Sequence, residues 1–189
     1  GVPTPEGLPK RTCLSLGEVA EYFIETGIGE QITQDEAIAI YEDAIDHGMV
    51  IESIATKDAD IMCCCHGAAC GNLMGFKGMA ANGMNAWKNF NAYVLDYDAE
   101  KCIKCGACVE RCPMEAIALD GPDGACTHNL ACVRCGQCVT VCPADARILS
   151  YRGDYPELGR DYVEAVEMLS AERMRRGRLA KLCGGTLLP

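Results

Sequence analysis

Two cysteine runs constrain this chain more than any other feature. Residues 102–119 read CIKCGACVERCPMEAIAL and residues 132–149 read CVRCGQCVTVCPADARIL, a repeat of period 30 with nine of 18 aligned positions identical. Both have the spacing C-x2-C-x2-C-x3-C-P. Three cysteines two residues apart can wrap three corners of a cubane [4Fe–4S] cluster in one loop. The fourth stands too far along to close on that loop, and in this motif it serves the other cluster. Pro113 and Pro143 suit the first turn of a short helix, where no backbone N–H is required. Gly106 and Gly136 allow the loop backbone to approach inorganic sulfide. Ile103, Val109, Ile117, Val133, Val139 and Ile148 are expected to line the cluster cavities and keep water out.

Other uses of cysteine fit less well. Four-thiolate zinc sites are built from two C-x-x-C pairs rather than triplets followed by Cys-Pro. Disulfides need oxidising surroundings, and an odd total of 15 cysteines leaves one thiol over. With 49% hydrophobic residues the chain can bury a core. No run approaches the roughly 18 apolar residues of a membrane span. The net charge of −10 argues against nucleic acid or an anionic membrane as partner. That charge is N-terminal: residues 1–99 sum to −10, residues 100–150 to −1 and residues 151–189 to +1. The chain starts at Gly1 rather than at an initiator methionine, so it is read as processed or truncated there. The absence of a signal peptide then says little about compartment, and the expected location is cytoplasmic.

Residues 93–150, from Tyr93-Val94-Leu95-Asp96 to Ile148-Leu149, resemble the bacterial two-cluster ferredoxins. The resemblance implies two [4Fe–4S] clusters. One is held by Cys102, Cys105, Cys108 and Cys142, the other by Cys132, Cys135, Cys138 and Cys112. It also implies a pseudo-twofold α+β fold with two hairpins and two short helices. Each oxidised cluster with its four thiolates carries a charge of about −2, which deepens the acidity.

Residues 1–60 read as a small helical, winged-helix-like region. Ser15-Leu16-Gly17-Glu18 and Thr33-Gln34-Asp35-Glu36 are two capping boxes. Gly27 suits a C′ position, and His47-Gly48 close the second helix. Met49–Ile54 reads as a strand. The acidic charge sets this shape against DNA binding and in favour of a structural or docking role.

Residues 61–92 form a Cys/Gly/Met-rich connector. Four cysteines in eight residues (Cys63, Cys64, Cys65 and Cys70), with His66 among them, suggest a third iron–sulfur cluster; structural thiols are the plainer reading. Neighbouring side chains diverge, so the three consecutive cysteines do not all reach one cubane, and Cys13 is a replacement ligand. Met74, Met79 and Met84 follow neither helical nor strand period and read as packing around a cluster. Trp87 is a candidate contact aromatic. Cys126, Cys183, His47 and His128 are expected to ligate nothing.

The order of motifs carries a wider resemblance. Thr12-Cys13-Leu14-Ser15-Leu16-Gly17, Ile32-Thr33-Gln34-Asp35-Glu36-Ala37, His47-Gly48-Met49-Val50, the cysteines at 63–70 and the double motif resemble a family of larger 4Fe–4S ferredoxin-like proteins over residues 11–180. Two departures stand out. The family's upstream Cys-x-Cys-Arg segment is absent, and Met62 stands where its Cys-x-Cys-Cys run begins.

The tail, residues 151–189, is expected to dock through a helix over Asp161–Gly177. Tyr162, Val163, Val166, Leu169 and Met174 mark one side, and Arg173, Arg175, Arg176 and Arg178 lie at its basic end. Leu187-Leu188-Pro189 would be sticky if free. No nucleophile–base pair or nucleotide loop is visible. The expected function is therefore electron transfer by a non-catalytic iron–sulfur subunit of an anaerobic oxidoreductase hetero-oligomer. Its catalytic partner would contain flavin, tungsten or molybdenum. A redox sensor and a free soluble ferredoxin are the alternatives.

Overall fold

A computed structural model describes residues 4–54, 56–85, 91–153 and 157–182. The chain is α+β. Its first layer is a three-stranded antiparallel sheet, β1 (Cys13–Ser15), β2 (Val50–Ser53) and β3 (Ile61–Cys65), in the order β1-β3-β2. Helices α1 (Gly17–Glu25) and α2 (Gln34–Asp46) lie between β1 and β2. β3 is the central strand, so the cysteine run belongs to the same sheet as Cys13.

Only one of the two capping boxes forms. Thr33 Oγ1 accepts from the Glu36 N–H at 3.2 Å, and the Glu36 carboxylate accepts from the Thr33 N–H at 2.7 Å. Ser15 instead ends β1 opposite Ile61, which leaves Leu16 at the N-cap of α1 with no side-chain cap. Sheet pairing has taken the residue that would have capped the helix.

Residues 71–81 form a helix that the methionine spacing hides. α3 (Gly71–Ala81) contains three glycines, a poor composition for a helix. Tertiary burial outweighs that cost. Leu73 is fully buried, and Phe76 and Ala80 pack on the same core. Met74, Met79 and Met84 are exposed rather than acting as filler. Trp87 lies outside the described residues.

The second layer contains β4 (Tyr93–Tyr97), α4 (Ala107–Glu110), β5 (Ile117–Ala118), β6 (Thr127–His128), α5 (Gln137–Thr140) and β7 (Arg147–Tyr151). β5 and β6, consecutive in the chain, pair antiparallel as a hairpin, whereas β4 pairs antiparallel with β7 from the far end of the layer, so a long-range pair stands where a second hairpin was expected. Backbone conformation repeats with the sequence. Gly106 and Gly136 have φ of 82° and 83°, Lys104 and Arg134 57° and 55°, and Glu115 and Asp145 52° and 49°. Four non-glycine residues in the left-handed region, matched in pairs, mark backbone bent for a purpose other than packing.

The layers are joined by core and by hydrogen bonds. Val50 and Leu73 of the first pack with Met114, Ala116, Ala131 and Val133 of the second. Arg111 donates to the Ile45 and Asp46 carbonyls at the C-terminus of α2. The buried Gln137 donates to the Met49 carbonyl at 2.6 Å and accepts from Arg111 Nε at 3.0 Å. Gly67 sits so close to the second layer that an added Cβ would lie 2.2 Å from the Pro113 carbonyl oxygen. Gly67→Ala must therefore push the layers apart, at about 1–3 kcal/mol. The expected result is bleaching of the visible iron–sulfur bands at lower temperature than in the parent chain. An unchanged bleaching temperature would show that the layers do not meet here.

The chain then returns to the first layer. Thr56 bridges Gly159 in parallel, and the Lys57 and Asp58 N–H groups donate to the Gly159 and Arg160 carbonyls at 3.0 and 2.8 Å. Helix α6 (Tyr162–Leu182) follows, with Tyr162, Val163, Val166, Met168 and Met174 exposed. The side chains of Leu169, Arg173, Arg176 and Arg178, and residues Cys183 and Leu187-Leu188-Pro189, lie outside the described set. Among the described residues no helix is long and apolar enough to cross a membrane.

Candidate iron–sulfur sites

The thiols of the second layer gather into two groups, each mixing the two runs. Cys102, Cys105 and Cys108 line one cavity with Cys142 and Pro143 of the second run, and Leu119 and Arg147 close it. Cys132 and Cys135 pack against the interlayer core beside Cys112 of the first run. Cys138, in the adjoining core, interacts electrostatically with Cys112, Cys132 and Cys135.

Backbone donors serve the sulfurs in repeat-related pairs. Lys104 N–H donates to Cys102 Sγ at 3.4 Å, and the Arg134 N–H serves Cys132. Ala116 N–H donates to Cys112 Sγ and Ala146 N–H to Cys142 Sγ, both at 3.3 Å. The left-handed residues therefore have a role: Lys104 and Arg134 turn their own N–H groups back toward sulfur, and Glu115 and Asp145 precede the alanines that do the same. Such donors stabilise charge on sulfur.

Burial opposes that charge when the thiols are metal-free. It pushes Cys135 up to about 11 and Cys138 up to about 12. A thiol of that kind becomes a thiolate at neutral pH when a cation compensates it, as iron does. Cys102 is lowered instead, first by a hydrogen bond from the Tyr97 hydroxyl and then by the Lys104 N–H. The four-thiol groups, their backbone donors and their apolar walls fit iron–sulfur clusters.

The apolar lining is only partly as expected. Ile117 and Val133 are buried, but Ile103 is 65% exposed at the cavity mouth and Ile148 is 44% exposed. Strand alternation in β7 turns Ile148 outward and its neighbour Arg147 inward, to 3% exposure. Arg147 Nη2 contacts Cys126 Sγ and lies 3.7 Å from Cys108 Sγ, Nη1 donates to His128 Nε2 at 3.0 Å, and the guanidinium stacks over Tyr97 at 4.6 Å. Cys126, expected to be a bystander, is a buried neighbour of the first thiol group; burial pushes it up to about 11. His128 remains exposed, and His47 caps α2 through the Asp43 carbonyl at 2.8 Å.

The first layer holds a third thiol group. The register of β3 sets Cys63 opposite Cys13 on one side and Glu52 on the other. Cys65 shares that face two residues on, and Cys70, at the N-cap of α3, closes over it. Cys64 does not join them. It is 2% exposed on the opposite face, packed with Ala44, Met49, Tyr41 and Ile51. Glu52 carries no signal along the chain, because only the strand register brings it to the thiols.

Residues 101–146 match a family model described as a 4Fe-4S dicluster domain. No curated protein matches the chain. This segment carries 4Fe–4S clusters, and iron–sulfur electron transfer is the chemistry that it provides.

Proposed function

We propose that the chain is a relay subunit that passes single electrons to or from a catalytic partner through two, and with the first layer three, iron–sulfur centres. The observation that carries this reading is the interleaving of the two cysteine runs. Cys142 lies with Cys102, Cys105 and Cys108, Cys112 lies with Cys132, Cys135 and Cys138, and Arg147 borders both groups. An iron–sulfur cluster supplies one-electron transfer at a potential set by hydrogen bonds to sulfur and by solvent exposure. The protein's part is to hold each thiolate, donate N–H groups to it, and exclude water with Ile117, Leu119 and Val133.

Among the described residues, two further features favour docking. Exposed apolar residues on α6 offer a contact surface. The order strand, two helices, two strands in the first layer is winged-helix-like, but its acidity turns the reading from DNA to a protein partner. We place the chain in the cytoplasm of an anaerobic metabolism, with a flavin-, tungsten- or molybdenum-containing subunit as partner.

Anaerobic purification from the native source is expected to bring down a second, cofactor-bearing polypeptide in fixed ratio. A chain that stays monomeric and exchanges electrons with several unrelated enzymes would instead be a free ferredoxin, and the subunit reading would fail.

A further inference from the structure

The third thiol group differs from the other two by containing a carboxylate. Cys70 Sγ lies 3.8 Å from Glu52 Oε1, and the donor atoms of Glu52, Cys65 and Cys70 all lie within 4.8 Å of one another. Beside them Cys63 is hydrogen-bonded to Cys13. Glu52, Cys65 and Cys70 are each partly buried, and no lysine or arginine pairs with Glu52 among the described residues. Three acidic groups crowded together without a cation repel one another on ionising. A bound metal cation relieves both the crowding and the cost of the buried charge.

Location adds a second argument. Cys65 and Cys70 pack against the same buried core, which includes Val50, Leu73 and Met114, as Cys112, Cys132 and Cys135. A centre here sits next to one of the two cluster sites rather than at a remote surface.

We propose that Glu52, Cys65 and Cys70, completed from the adjacent Cys13–Cys63 pair, hold a third metal centre with a mixed thiolate–carboxylate donor set, and that Cys64 takes no part in it. It rests on the reading of the first-layer cysteines as a metal site and adds to it a ligand of a different chemical class. Thiolate-rich sets select zinc or iron–sulfur centres. As an iron centre it would extend the relay; as zinc it would pin the sheet to α3.

The test is iron, zinc and acid-labile sulfide per full-length chain after anaerobic purification. Two cubanes account for about 8 irons and 8 sulfides. Beyond these, about four further irons with sulfide identify a cluster, and about one zinc without sulfide identifies a single ion; either supports the centre. Cys65→Ser and Glu52→Ala are expected to lose that excess and keep the eight irons, which also reports that the variant has folded. Cys64→Ala is expected to keep both. A parent chain with eight irons and no further metal would overturn the centre itself. Full excess metal in Glu52→Ala would leave a centre but overturn the mixed donor set. Loss of the excess alone in Cys64→Ala would overturn the exclusion of Cys64.

Discussion

Serine at Cys112 is expected to cost the chain the cluster of the second run, not that of its own. Cys112 packs with Cys132 and Cys135 and interacts with Cys138, whereas Cys102, Cys105 and Cys108 have Cys142 as their fourth thiol. Loss of one thiolate from a four-thiolate site leaves an iron open to solvent and exchange, so Cys112→Ser should drop about four of the eight irons. Double variants then reveal which site it served. Cys112→Ser combined with Cys132→Ser removes two ligands of one cluster and should keep the same four irons as either single change. Cys112→Ser combined with Cys102→Ser removes one ligand from each and should lose all eight. The reverse pattern would mean that each run closes on its own cluster. Residues that act as one unit are non-additive in this way, and separate units add.

How far the site was legible depended on the range of the interactions that build it. The spacing of the two runs, together with the ferredoxin resemblance, implies that Cys142 goes with the first run and Cys112 with the second, and the structure brings those thiols near one another. Cys64 is an intermediate case. Divergence of neighbouring side chains excludes one cysteine of three, but only the period-2 alternation of β3 identifies which. Glu52 lay beyond local reading, because it reaches the thiols through a register between strands that meet across a turn. Helix α3 was obscured because three glycines depress its intrinsic propensity, and its stability comes from Leu73 burying against residues forty to sixty positions away. Ser15 failed as a cap for a related reason: a strand partner at Ile61 competed for it.

Arg147 had a readable signal, and it leads to the second large effect. The repeat aligns Arg147 with Ile117, and both are buried, at 3% and 6% exposure. One half of a pseudo-symmetric pair therefore carries a cation where the other carries a hydrocarbon. Burying a guanidinium costs several kcal/mol unless an anion answers it. Among the described residues no carboxylate pairs with Arg147; its neighbours are Cys108, Cys126, His128 and Tyr97. The groups nearest it are sulfurs, so a cluster bound by Cys108 and its partners would supply the compensating negative charge. A unit charge within several ångströms, at an effective dielectric of about 20, would contribute on the order of 3 kcal/mol. For a one-electron couple a tenfold change in equilibrium is 59 mV, and 1.4 kcal/mol is tenfold, so the guanidinium favours an added electron by on the order of 100 mV. Arg147 closes the cavity of Cys102, Cys105, Cys108 and Cys142, so that site should have the higher potential. Arg147→Ile restores the repeat and is expected to lower that potential by on the order of 100 mV while moving the other less. Arg147→Lys, which keeps a charge but not the planar fork, should fall between. Potentiometric titration followed by electron paramagnetic resonance measures both centres. Equal shifts at the two centres, or none, would mean that Arg147 serves the fold and not the difference in potential. A lowered first potential alone would mean that the cation decides where a single electron comes to rest, and the break in the repeat then gives the relay a direction.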